Sequence, residues 1–245
     1  MTRGGDAVAR VAAIVRPFGL NLVGAAAVAA YDALVPPAYR LGPAAGRTAI
    51  VVGHGGGGFW AAYRARAAED PALAGRAHPL DDFTAWIVED RLAPAMPGAT
   101  AVLPFRPRTP PVSFVHLAEA AGLGRRSLLG VLIHPEFGPW IALRGALLVD
   151  AVARAPRPAA GFDPCAVCRE RPCVAVCPAA AVTAAGWDPG RCIDHRLAHD
   201  ADCRISCGAR DACVYGRAHR YSPDALAHHH GRAFAVMAAG AGRGP

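Results

Sequence analysis

All eight cysteines of this 245-residue chain fall between Cys165 and Cys213, and the first 164 residues contain none. That crowding is the strongest constraint on what the chain can become. A disulfide scaffold spreads its bridges along the chain. Thiols packed into one segment point to metal ligation in a reducing compartment. The length allows a domain of about 150 residues with a small appendage, or one large domain.

The first four cysteines read Cys165-x2-Cys168-x4-Cys173-x3-Cys177-Pro178. The bacterial ferredoxin pattern is C-x2-C-x2-C-x3-C-P, and the cysteine before its proline ligates the other of two clusters. Here the middle gap is two residues longer and the closing C-x3-C-P is intact. The second group is Cys192, Cys203, Cys207 and Cys213, with Val214 standing where a proline usually follows. The crossed pattern assigns Cys165, Cys168, Cys173 and Cys213 to one [4Fe–4S] cluster. It assigns Cys177, Cys192, Cys203 and Cys207 to another. The irregular second group leaves one cluster or two open. Zinc is the rival, held by Cys165/Cys168 and Cys203/Cys207 as two knuckles. It would leave the Cys173-x3-Cys177-Pro motif idle. Disulfides are a third reading.

A 53% hydrophobic and 18% charged composition fits a folded globular protein. Every basic residue is arginine and there is no lysine, which with the wealth of Ala, Gly and Pro reads as a GC-rich coding bias. A net charge of +7 suits an acidic partner such as a flavodoxin, an acidic ferredoxin or a nucleic acid. There is no dense basic run, no paired-histidine finger spacing and no aromatic pair in a basic strand, which disfavours nucleic acid. The apolar stretch from Gly19 to Ala30 follows Arg10 and Arg16 and mimics a signal peptide. It is too short to span a bilayer, and Asp32 cuts it off. A buried strand or helix, no membrane association and a cytoplasmic location are expected.

Residues 6–15 read as a short amphipathic helix, and Leu20–Ala30 as apolar and extended at its start. Thr48–Val52 is a β-branched buried strand. It runs into Gly53-His54-Gly55-Gly56-Gly57-Gly58 and a helix-like stretch to Ala68. Strand, glycine loop and helix bring backbone N–H groups toward a phosphate, which makes Gly55, Gly56 and Gly57 candidate cofactor contacts. A plain tight turn is the alternative, since no Lys-Ser/Thr follows. Asp81 or Asp82 is expected to cap the helix beginning at Phe83. Ala101–Phe105 reads as a further strand, and Phe114–Ala121 is helical. Leu128–Ile133 and Ile141–Val149 are apolar runs separated by His134-Pro135-Glu136-Phe137-Gly138-Pro139-Trp140. Residues 151–162 look like a linker. Tyr221–Met237 reads as one helix containing His228, His229 and His230. These point about 100° apart and cannot easily chelate one metal together. The mixture indicates an α+β or α/β domain.

The stretch LLGVLIHPEFGPWIALRGALLV, residues 128–149, resembles the central motif of CblC-type (MMACHC-like) cobalamin-processing proteins. The matching residues are His134, Pro135, Phe137, Gly138, Trp140, Arg144 and Gly145. Tyr31–Tyr39 and the stretch with Pro79, Asp81 and Arg91 are similar more weakly. HLAEAAGLGRRSLLGVLIHPEFGPW also resembles epoxyqueuosine reductases. Those join a corrinoid-binding nitroreductase-like domain to a ferredoxin-like domain of eight cysteines, a plan that reductive dehalogenases share. The resemblance implies an α+β chain: a nitroreductase-like α/β domain over 1–155, a ferredoxin-like iron–sulfur domain over 156–218, and a C-terminal helix and tail over 219–245. It implies that the seven motif residues line a pocket for cobalamin, or alternatively FMN. Ordinary packing is the competing account of the same residues.

Two departures matter. Arg108 stands where epoxyqueuosine reductases carry an acidic proton donor, and a guanidinium does not give up its proton at neutral pH. The helical-repeat extension that helps some of those enzymes hold tRNA is not found in the sequence, so tRNA modification is not expected. Animal CblC proteins lack the cysteines and draw electrons from flavin or glutathione. The resemblance implies a cobalamin-processing oxidoreductase. It would bind a corrinoid and supply electrons for its reduction or upper-ligand removal, with flavodoxin or ferredoxin as redox partner. The alternative is a ferredoxin-like electron carrier with no corrinoid chemistry.

Overall fold

The computed structural model describes residues 4–152, 161–199 and 203–240. The chain divides into two compact units: Met1–Gly124 with Ile141–Gly161, and Arg125–Trp140 with Phe162–Pro245. Among the described residues, no helix is long and apolar enough to cross a membrane.

The first unit is built on a four-stranded antiparallel sheet. Its strands are β1 (Leu22–Ala27), β2 (Thr48–Gly55), β3 (Thr100–Val102) and, after a short hairpin β4 (Arg125–Arg126) and β5 (Leu132–Ile133) that belongs to the second unit, β6 (Ile141–Val149). The order is β1-β2-β6-β3, and every pair is antiparallel. All eight residues of β2 are buried. A central strand covered on both faces reads as a continuous apolar run, which is why Thr48–Val52 is legible in the sequence. Helix α1 (Gly4–Val15) brings Val8, Val11 and Val15 into the core with Ile50, Val52 and Leu147. Helices α2 (Val28–Asp32), α3 (Gly58–Glu69), α4 (Pro71–Ala74), α5 (Pro79–Ala85) and α6 (Phe114–Ala120) complete the unit. The result is a mixed α+β fold.

Three local expectations are corrected. The glycine loop is shorter than the sequence implies: Gly53, His54 and Gly55 stay in β2, paired with Leu143, Ala142 and Ile141 after a register shift at Val52/Gly53. Glycine tolerates both strand and loop geometry, so composition alone does not place that boundary. Asp81 and Asp82 do not cap a helix. The helix starts earlier, at Pro79, with His78 at the cap position and no side-chain cap bond. The two aspartates lie in its first turn, where negative charge suits the helix dipole. It then passes into a π-helical segment, Trp86–Leu92. The strand expected at Ala101–Phe105 ends at Val102, before Pro104, which has no N–H for the ladder.

The second unit has short elements: α7 (Pro164–Val167), α8 (Pro172–Ala175), the hairpin β7 (Val182–Thr183) and β8 (Gly186–Trp187), α9 (Pro189–Ala198), α10 (Gly208–Asp211) and α11 (Pro223–Gly240). Pro164, Pro172, Pro189 and Pro223 each open a helix, where a missing N–H costs nothing. Among the described residues, the large buried apolar side chains of this unit are Leu132, Ile133, Trp140 and Tyr221, and the rest are small: Pro164, Ala181, Val182, Ala209, Ala225 and Ala238. So small a core leaves an unusually large share of the ordering cost to other contacts. The expected boundary at residue 155 lies outside the described residues, and Arg125–Trp140 groups with the cysteine segment. Of the expected linker at 151–162, residues 153–160 lie outside the described residues.

Candidate functional site

The second unit gathers the eight cysteines into two groups. Cys165, Cys168, Cys173 and Cys213 line one pocket. Cys177, Cys192, Cys203 and Cys207 line another. Cys177 follows α8 and Cys213 follows α10, so each is delivered to the pocket opposite its sequence neighbours. The thiols of a group sense one another. Burial pushes Cys173 upward, and Cys213, Cys165 and Cys168 add to the shift. Burial likewise raises Cys203, followed by Cys207 and Cys192, with Arg196 opposing. Bringing thiolates together without a cation is unfavourable, and a soft cationic centre reverses that penalty.

Among the described residues, no three His, Cys, Asp or Glu converge closely enough to hold a single metal ion. The second pocket encloses about 260 Å³. The first closes to about 20 Å³, room for one water, so a larger group there needs its thiols to turn outward. The walls of the second pocket hold buried polar atoms with no hydrogen-bond partner, Arg196 Nε and His230 Nδ1. Burial, then the charges of Arg196 and Arg210, push His230 down to about 4, so its ring is neutral near pH 7. A four-thiol set beside the unpartnered Arg196 Nε–H fits a sulfur-rich group presenting acceptors. Of the three adjacent histidines only His230 lines the pocket; His229 packs on Tyr221 at 5.8 Å.

The motif from His134 to Trp140 also lies in the second unit. His134 and Gly138 exchange backbone hydrogen bonds of 2.9 Å in each direction. His134 Nδ1 accepts from the Glu136 and Phe137 N–H groups at 3.1 and 3.2 Å. That fixes the neutral tautomer with the proton on Nε2, and burial lowers the pKa in the same sense. Pro135 is exposed at the tip of the turn. Gly138, at φ 56°, lies so close to Tyr215 and Gly216 that a Cβ would strike their backbone, and Gly216, at φ 67°, meets Phe137 in the same way. Trp140 is buried, with the Arg210 guanidinium 4.5 Å above its ring and Tyr221 at 5.6 Å. Arg210 also donates to the Pro139 carbonyl from Nε at 3.1 Å and from NH2 at 2.6 Å. Substituting Arg210 with alanine removes both bonds and the stacking. It is expected to cost about 2–3 kcal/mol, read as a lowered Tm.

The remaining motif residues, Arg144 and Gly145, lie on β6 in the first unit. The seven residues matched by resemblance are therefore divided between the two units. Gly145 is a packing position: a Cβ there would meet Val88 and Leu103 at 3.3 Å. Arg144 is 8% exposed, lies 4.6 Å over the Phe59 ring and reaches His54 Nε2 at 3.3 Å. A guanidinium only donates, so His54 Nε2 accepts and Nδ1 carries the proton toward the Gly56 carbonyl at 3.3 Å. Asn21 holds Gly55 by two bonds, donating to its carbonyl at 3.1 Å and accepting its N–H at 2.8 Å. Gly56 turns at φ 68°, and Gly57 is exposed with open space where a Cβ would stand. Gly55, Gly56 and Gly57 thus form the end of β2 and the turn into α3.

No protein-family profile matches the sequence, and no curated protein does. Solved structures do. A C. elegans B12-trafficking protein, the CblC homologue of human MMACHC, matches over 92% of each chain with a TM-score of 0.56 and 14% identity. The two share a fold. Epoxyqueuosine reductase from Streptococcus thermophilus matches over 85% of this chain and 66% of its own, with a TM-score of 0.51 and 12% identity. The catabolic reductive dehalogenase NpRdhA, solved with 3-bromo-4-hydroxybenzoic acid, matches over 98% of this chain and 37% of its own, with a TM-score of 0.52 and 17% identity. The chain thus spans about a third of the dehalogenase. Within the CblC-like fold, sequence reasoning passes over Asn21, His54, Arg196 and Arg210, and sets His230 aside with its two neighbours. His54 carries one usable signal, a lone polar side chain inside a strand pattern. Asn21 carries none, because its partner Gly55 is far away in sequence.

Proposed function

We propose that the chain is an iron–sulfur oxidoreductase that binds a corrinoid and supplies electrons for its reduction or for removal of its upper ligand. The observation that carries this reading is the pair of crossed four-cysteine pockets in a chain whose fold matches a B12-trafficking protein across 92% of both chains. In this reading Cys165, Cys168, Cys173 and Cys213 hold one [4Fe–4S] cluster, and Cys177, Cys192, Cys203 and Cys207 hold the second. A corrinoid supplies a cobalt centre that accepts single electrons and exchanges axial ligands. The residues of this chain do the positioning. Asn21 and His54 fix the Gly55–Gly57 backbone, whose N–H groups at the start of α3 favour an anionic group. Arg144 adds positive charge beneath that turn. A flavodoxin or ferredoxin is the fitting electron donor to so basic a chain.

A second reading, an electron carrier with no corrinoid, is favoured by one observation. His134, Phe137, Gly138 and Trp140 are already committed to building the cysteine unit. Cobalamin titration followed by absorbance separates the two. A shift to the spectrum of cobalamin lacking its lower ligand is expected at stoichiometric protein. An unchanged spectrum on cluster-loaded protein favours the carrier, and a flavin spectrum retained through purification would give the pocket to FMN.

A further inference from the structure

The two cysteine pockets differ in charge. Among the described residues, the second is lined by Arg196 and Arg210, with His195 and His230, and by no acidic side chain. The first is lined mostly by apolar groups with Ser127, Tyr215 and Arg171, and Arg217 donates from Nε to the Cys213 carbonyl at 3.4 Å. Arg196 projects from α9 one helical turn after Cys192. Its two terminal nitrogens are spoken for: NH2 donates to the His230 carbonyl at 3.2 Å, and NH1 meets Met237 Sδ at 3.8 Å, both on α11. Its Nε–H is buried and has no partner. A buried donor without an acceptor is costly, and native structures rarely leave one that no ligand satisfies. Arg196 and Arg210 line the same pocket as Cys203 and Cys207. Two guanidinium groups therefore face the same thiol set from α9 and α10.

We propose that Arg196 sets the reduction potential of the second cysteine site: its Nε–H donates to a sulfur of the cluster held there, and with Arg210 it makes this site the more easily reduced of the two. The inference rests on the iron–sulfur reading above. Adding one electron to a cluster adds one negative charge, and a fixed positive charge and an N–H donor at its sulfurs stabilise the reduced form. The first site has Arg171 in its wall and Arg217 beside Cys213, but among the described residues its lining shows no buried N–H donor left without an acceptor, so the higher potential of the second site rests on the Arg196 Nε–H. Arg196 is a positioning and tuning residue, since it acts through the cluster.

The test uses the full chain purified anaerobically, with iron and acid-labile sulfide measured before a dithionite titration followed by electron paramagnetic resonance. The wild-type protein is expected to show two reduction waves. Arg196→Gln is expected to shift the higher one downward and to leave the lower one in place at unchanged iron content. Arg196→Lys, which keeps the charge, is expected to recover part of the shift. Loss of half the iron in Arg196→Gln but not in Arg196→Lys also supports the proposal. An unmoved higher wave at full iron content overturns it, as does equal iron loss in both variants, which marks a packing role. Wild-type protein with no iron or sulfide instead removes the iron–sulfur reading itself.

Discussion

Cys213→Ser is expected to remove the same cluster as Cys165→Ser, although the two stand at opposite ends of the cysteine segment. Iron should fall from about eight to about four per chain in either variant, and no further in the double variant. Cys177→Ser is expected to remove the other cluster, even though Cys177 directly follows the helix carrying Cys173. Combining Cys165→Ser with Cys177→Ser should therefore strip nearly all the iron. The reason is the crossed delivery of the chain: Cys213 lines the pocket of Cys165, Cys168 and Cys173, while Cys177 lines that of Cys192, Cys203 and Cys207. Iron and sulfide on anaerobically prepared variants decide it. Additive losses for Cys165→Ser and Cys213→Ser would show that the pockets are not the cluster boundaries.

Gly138→Val is expected to unfold the cysteine unit without a change to any cysteine. Gly138 has φ 56°, where a side chain costs about 1–2 kcal/mol by itself. Steric collision costs more. A Cβ at Gly138 would strike the Tyr215 carbonyl, and Gly216 has no room on its side to retreat, because it packs on Phe137. Backbone cannot swing away as a side-chain tip does. A total above about 3 kcal/mol is expected, large for a unit with so few buried apolar side chains. Thermal unfolding and retained iron should both fall. Gly231→Ala is the control. It lies in α11 with open space around it and should be neutral or gain up to about 1 kcal/mol. Equal behaviour of the two variants would show that the Gly138–Gly216 approach is unimportant.

These cases mark what the amino-acid order reveals. The strand Ile141–Val149 is legible to the residue, because its apolar run, broken only by Arg144 and Gly145, starts after Pro139 and ends at Asp150. Leu128–Ile133 looks equivalent and yields only Leu132–Ile133, since Gly130 turns at φ 74° against the Trp187 ring. The pairing of cysteines into two groups follows from the cysteine-before-proline spacing, a local signal. The attachment of Arg125–Trp140 to the cysteine unit does not, because it depends on two glycines meeting across about 80 residues of chain. Arg196 is invisible for the same reason: the packing of α9 against α11 puts it at the pocket wall, and no spacing rule encodes it.

The most direct measurement is metal and sulfide content of the wild-type chain purified without oxygen. The crossed pockets predict about eight irons and about eight acid-labile sulfides per chain, with negligible zinc. Zinc in place of iron, with no sulfide, would contradict the account at its base.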